Sequence, residues 1–212
     1  MSKADPLEQF FSYPKTAILI DGGYFLKRLP AVRPDIDAED PQSVAAGLQQ
    51  LVKSHLEHLN RTYKAPDPFA LLYRTFYYDA WPYDQKAHKP ISRKAIDFAK
   101  TSQAQFRTGL FDALYNSRSF AVRLGETRKG IGEFWVLRPS LQKDLLAGRK
   151  TVQDLTDDDF TASFRQKGVD MRIGLDIASI TLKRQAGIIV LVSGGQDGPA
   201  GRHPVYSGSI VA

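Results

Sequence analysis

The sequence predicts an α/β fold, a three-layer sandwich of helices around a mainly parallel sheet, and three observations carry that expectation. Apolar runs of strand character recur at "TAILID" (Thr16 to Asp21), "FALLYRTFYYD" (Phe69 to Asp79) and "GIIVLVSG" (Gly187 to Gly194). Long segments separate these runs, some with apolar residues at helical spacing. Parallel neighbours cannot be joined by a tight turn, so strand, long crossover and strand in repetition argue for parallel pairing.

The first run is closed by an acid and two glycines, the pattern of a buried strand entering a tight turn. "SVAAGLQQLVKSHLEHLN" then places Val44, Leu48, Leu51, Val52, Leu56 and Leu59 on one helical stripe. The second run is rich in aromatic residues and ends on Asp79 before "AWPYD". From Pro90 to Tyr115 the spacing of Ile96, Ala99, Gln103, Phe106, Leu110 and Leu114 predicts a helix. "SFAVRLG" and "GEFWVLRP" read as a hairpin or two edge strands around the charged "ETRKGI". Short helix and loop are expected over Ser140 to Asp159, a helix over Asp157 to Gln166, and a longer one in "VDMRIGLDIASITLKRQ" before the last strand. The expected organisation is an N-terminal extension over 1–15, one domain over 16–197 and an irregular tail over 198–212.

With 212 residues, 42% of them hydrophobic and 25% charged, the chain has the composition of a single globular domain. No apolar run approaches the ~20 residues needed to cross a bilayer, and "MSKADPLEQFFSYPK" lacks a signal-peptide core, so a cytoplasmic protein without a membrane partner is expected. The absence of cysteine excludes disulfides, thiolate nucleophiles and Cys-based metal sites. His55, His58, His88 and His203 show no metalloprotease spacing, so a metal would have to accept oxygen ligands. The net charge of +6 suits a polyanionic partner such as nucleic acid.

Ligands of open parallel sheets collect beyond the carboxyl ends of the strands. Asp21, Asp79 and Asp197 all fall there, and if those strands are neighbours their charges repel unless a cation joins them. On a helical wheel counted from Val169, Asp176 lies within about 60° of Ile173 and Ile180 and so interrupts an apolar face. An ionised carboxylate there must be neutralised, paired to a base or bound to a metal. Asp170 points elsewhere, at the helix start, where the dipole favours an acid. Oxygen donors without thiols are what Mg²⁺ or Mn²⁺ selects, and such ions serve phosphodiester hydrolysis. Lys86, His88, Lys89, Arg93, Lys94, Lys100 and Arg107 would offset the repulsion of a nucleic-acid backbone, with Tyr78, Trp81 and Tyr83 as stacking surfaces.

Structural alternatives stand beside each assignment. Asp21 is placed to cap a helix, Asp79 to begin a turn, and Asp176 to pair with Arg172 or Lys183. The basic segment is equally a solvated helix face. "DGG" and "SGG" match neither phosphate-loop pattern, and Gly23 occupies the place where an aspartate-nucleophile phosphotransferase needs its second acid.

"AILIDGGYF", "FYYDAWP" and above all "KGVDMRIGLDIASITLKRQAGIIVLVSG" resemble the NYN domain of the PIN-like nuclease superfamily, in its LabA/DUF88-like branch. The resemblance covers about Thr16 to Gly194. It implies a Rossmann-like α/β/α sandwich and a divalent-metal-dependent ribonuclease. Family roles then fall on Asp21 and Asp176 as principal ligands with Asp197, and on Asp79 and Asp170 in support. Lys86, Lys89, Arg93, Lys94, Lys100 and Arg107 would face RNA. The family usually reads Ser-Gly-Asp-Ser-Asp-Phe after the last strand, whereas this chain has Ser193, Gly194, Gly195, Gln196, Asp197 and Gly198. Gly195 lacks an expected carboxylate, and "GPAGRHPVYSGSIVA" shows no periodicity, so the last layer is expected to be truncated or replaced. That departure implies a second function, a catalytically impaired RNA-binding or protein-interaction domain. An exposed sheet edge would favour a homo-oligomer or a protein partner. A nucleotide-binding regulator is the third class, with no phosphate loop in its favour.

Overall fold

The computed structural model of the chain describes residues 13–130 and 134–194. The fold is α/β, built on a five-strand mixed sheet. Its strands are β1 (Thr16–Asp21), β2 (Leu72–Ala80), β5 (Phe120–Lys129), β8 (Phe164–Lys167) and β9 (Ile188–Val192), arranged β8-β5-β2-β1-β9. The ladders β5·β2, β2·β1 and β1·β9 are parallel, and β8 runs antiparallel to the far end of β5.

The helices are α1 (Gly22–Val32), α2 (Pro41–Tyr63), α3 (Ser102–Tyr115), α4 (Pro139–Leu146) and α5 (Val169–Leu182). Strand alternation splits the core between two faces of the sheet. Ile18, Ile20 and Tyr77 turn to one face and pack with Phe25 and Leu29 of α1, Leu48 and Leu56 of α2, and Leu110 and Phe111 of α3. Ala17, Leu19, Phe76 and Tyr78 turn to the other, against Val169, Ile173 and Ile180 of α5. A central strand buried on both faces needs an unbroken apolar run, which is why Thr16 to Ile20 carries no alternating polar residue apart from Thr16 itself. The stripe on α2 is the one its spacing predicts, and full burial of Leu48 and Leu56 contributes about 1.5–3 kcal/mol each.

Three expectations from the sequence are corrected between 81 and 167. The helix expected from Pro90 begins at Ser102, with Thr101 capping Ala104 N. Upstream, β3 (Lys86–His88) and β4 (Ala95–Asp97) form a two-stranded hairpin whose turn places Arg93 at φ 59°, followed by a 3-10 turn over Phe98–Lys100. "ETRKGI" is not a hairpin turn: β5 runs through Glu126 to Lys129, and β6 (Trp135–Leu137) pairs instead with β7 (Phe160–Ala162). The helix expected over 157–166 is a 3-10 turn over Asp157–Asp159 followed by β7 and β8. β8 is four residues long with only Phe164 partly buried, too short to show a period-2 signal.

Candidate functional site

The chain steps from β1 to β2 to β5 in one direction and then returns to place β9 on the other side of β1. The right-handed crossover rule therefore puts α1, α2 and α3 on one face and α5 on the other. The direction of winding reverses between β1 and β9. Crevices outside the carboxyl ends of strands at such a reversal are where open α/β sheets hold ligands. Asp21 closes β1 there, and Ser193 follows β9.

Asp21 does cap a helix, as one of its two expected roles required: its Oδ1 accepts from Tyr24 N at 3.1 Å at the start of α1. None of the described hydrogen bonds falls on its other oxygen. A side chain at Gly22 would collide with Tyr77 Oη and the Tyr78 carbonyl, so only glycine lets α1 begin this close to β2. A side chain at Gly23 would lie 3.4 Å from Asp21 Oδ1 and 3.7 Å from Gln166 Oε1, so these two oxygens flank that residue.

Asp79 is neither a turn opener nor an exposed ligand. Its side chain is 0% exposed and forms an ion pair with Arg107 of α3. It also accepts from Ala80 N at 2.8 Å, Gln166 Nε2 at 3.1 Å and Tyr77 Oη at 3.3 Å. Burial raises its carboxyl above the usual value, with the Arg107 guanidinium opposing that effect. The Tyr77 hydroxyl is pushed well above its ordinary value, first by burial and then by the charge of Asp79.

Asp176 interrupts the apolar face of α5, as the wheel places it, and is paired to a base. That base is Arg123 of β5, at 3.2 Å, and neither Arg172 nor Lys183. Tyr78 Oη donates to the same oxygen, Oδ2, at 2.9 Å. Asp21, Tyr78 and Arg123 occupy one register row across β1, β2 and β5, so pleating gives them a common face, the one covered by α5. Asp176 therefore meets the Tyr78 and Arg123 members of that row, and none of the described contacts joins it to Asp21. Tyr78 is fully buried, so it positions Asp176 and is not the stacking surface expected of it. Burial, and then the bond to Asp176, push its hydroxyl pKa upward, so it remains a proton donor.

Asp170 is exposed in the first turn of α5. Asp197 and Gly195 lie outside the described residues. Among the predicted cations, Lys86 and Lys94 are exposed on the β3–β4 hairpin, Arg93 is exposed in its turn, Lys89 is half-buried and Lys100 is exposed in the 3-10 turn. Arg107 differs from them, because Asp79 neutralises it and its side chain is only 16% exposed. Trp81 is 48% exposed with its ring edge-on to Phe111. Among the described residues, no group of three or more His, Asp or Glu is placed to hold a metal ion. A larger cavity of about 670 Å³, lined by Tyr13, Lys15, Tyr73 and Arg184, lies at the opposite end of the strands and contains none of the predicted acids.

Arg123 and Gln166 were not read from the sequence as site residues, and Tyr78 was read only as a stacking surface. A charge inside the apolar run "FAVRLG" is the signal that locates Arg123, since a basic residue on a central strand needs an acid opposite it. No family model matches the chain, and no curated protein and no solved structure matches it. No described helix is long and apolar enough to cross a membrane.

Proposed function

We propose that this chain is a divalent-metal-dependent ribonuclease of the NYN/PIN-like kind, with the α/β/α sandwich that such a domain implies. The observation that carries this reading is the row Asp21, Tyr78 and Arg123 with Asp176 laid over it at the strand ends. The donor chemistry fits a hard dication. Asp21 engages one oxygen with Tyr24 N, and Asp176 takes both its bonds on Oδ2, so among the described residues each keeps an oxygen for a ligand. Mg²⁺ is commonly held by one or two carboxylates, with water and substrate phosphate completing the shell. When bound, Mg²⁺ or Mn²⁺ would supply an activated water and stabilise the phosphodiester oxygens.

The remaining roles belong to the chain itself. Tyr78 and Arg123 fix the rotamer of Asp176. Lys86, Lys94 and Lys100 give the approach a positive potential that draws an RNA backbone toward an otherwise acidic rim. Asp170 and Asp197 complete the acid set in this reading.

The test is cleavage of a mixed RNA pool in Mn²⁺, Mg²⁺ and EDTA. Asp176→Asn is expected to lower metal-dependent cleavage by more than about 100-fold, and an unchanged rate overturns the assignment.

A second reading, an RNA-binding or protein-interaction domain with impaired catalysis, is favoured by one observation. Asp79 is closed off by Arg107, and among the described residues no three acids are grouped to hold a metal. RNA binding that persists in EDTA, with no cleavage in any metal, selects it. Gain of cleavage in Gly195→Asp would identify the missing ligand. Under this reading β9, which pairs only with β1 among the described strands, offers its outer edge to an added strand from a partner or a second copy.

A further inference from the structure

Five aromatic rings converge outside both core clusters, from segments far apart in the chain. Tyr83, Phe98, Phe134, Trp135 and Phe164 have neighbouring centroids 5.0 to 6.1 Å apart. Phe98 is buried and the others are half-buried, so the cluster is partly open to solvent. Beside it lies a cavity of about 240 Å³ whose walls include Tyr83, Phe98 and Phe164 together with Arg107, Thr127 and Gln166. Sites for whole drug-sized ligands run to roughly 300–1,000 Å³, so this one has room for a single planar ring system.

The polar wall narrows the chemistry further. Arg107 is neutralised by Asp79, so the cavity offers hydrogen-bond groups without a net positive charge. A phosphate would have to compete with a buried carboxylate for that guanidinium. A neutral heteroaromatic ring with donors and acceptors along its edge has no such competitor, and aromatic walls suit its faces.

The cavity also adjoins the acid rim. Gln166 donates to Asp79 through Nε2, while its Oε1, like Asp21 Oδ1, lies beside Gly23. On the other side, Trp135 Nε1 donates to the His88 carbonyl at 2.9 Å, tying the lysine-bearing β3–β4 hairpin to the ring cluster. A strand passing the hairpin cations toward Asp21 would carry its bases past this opening.

We propose that the cavity is a subsite for one unpaired nucleobase of a single-stranded RNA, held against Tyr83 and Phe164 with its edge toward Gln166 and Arg107. The choice of RNA rests on the function proposed above. The test measures binding of the full chain in EDTA by fluorescence anisotropy, using a short labelled single-stranded RNA and the same oligonucleotide carrying abasic residues. The wild type is expected to hold the intact RNA about tenfold more tightly than the abasic one. Phe164→Leu should bring that ratio toward one while leaving affinity for the abasic strand, set by exposed cations, unchanged. Tyr83→Leu repeats the measurement from the other wall should the first variant fail to fold. A ratio near one in the wild type, or one untouched by the folded variants, overturns the subsite. Chelator separates the two proposals. Cleavage in Mn²⁺ without base discrimination sinks the subsite alone, and base-discriminating binding without cleavage sinks the ribonuclease alone.

Discussion

Asp79 and Asp176 each hold one arginine and one tyrosine, yet the two assemblies differ in what they leave over. At Asp79 the side chain is 0% exposed and four donors converge on it, from Arg107, Tyr77, Ala80 and Gln166. At Asp176 the side chain is 23% exposed, Arg123 is 46% exposed, and both bonds fall on a single oxygen. The tyrosines are consecutive residues of β2, so alternation alone sends one hydroxyl to each acid on opposite faces of the sheet. The same residue pair is closed into the structure on one face and partly open to solvent on the other. Burial and the number of donors decide the difference.

The largest expected effect comes from breaking the inner pair. Asp79→Ala leaves Arg107 without its partner in a site where the guanidinium is 16% exposed, and a loss of about 3–5 kcal/mol is expected in urea denaturation. Adding Arg107→Met removes the uncompensated charge and should recover at least ~1 kcal/mol of that loss. If Asp79→Ala costs under about 1 kcal/mol, the inner pair is no more structural than an exposed one.

The outer pair should respond much less. Asp176→Asn keeps an acceptor for Tyr78 and removes only a half-exposed ion pair, so a cost of about 0.2–1 kcal/mol is expected from the same denaturation experiment. The variant thus remains folded for the cleavage assay, and the two measurements separate a structural acid from a functional one. A loss near that of Asp79→Ala would erase the distinction between the two faces.

The strands β1, β2 and β9 were legible because each carries a long apolar run, and α2 because its stripe spans many turns. The positions of Asp21 at a strand end and Asp176 on an apolar face followed from the same patterns. What failed lies where elements are short. A three-residue strand such as β3 or β4 has no measurable period, and Ile96, Ala99 and Phe106 kept helical spacing across a hairpin, a 3-10 turn and a true helix. Arg107 was correctly placed on a helix. The wheel carries no information on which strand faces that helix, so its pairing with Asp79 was hidden. The ring cluster was hidden for a related reason, since Tyr83, Phe98, Phe134 and Phe164 meet only once β8 has folded back along β5.

The smallest effect sharpens the comparison through pH. Burial raises the Asp79 carboxyl above its ordinary value of 3.8, against the pull of Arg107, so the folded chain holds that proton more tightly than the unfolded one. Its contribution to stability is therefore complete below the unfolded value and is lost as pH rises through the folded value. Glu126, Asp154, Asp157 and Asp159 act in the opposite sense, each held below its usual value first by a side-chain hydrogen bond. Subtracting the stability of Asp79→Asn from that of the wild type cancels those four groups and isolates the buried one. The difference should fall as pH rises above the ordinary carboxyl value of 3.8, by less than the cost of breaking the pair. A difference that rises with pH would mean that Arg107 outweighs burial, and that Asp79 is held as firmly ionised as an acid at a solvent-facing ion pair.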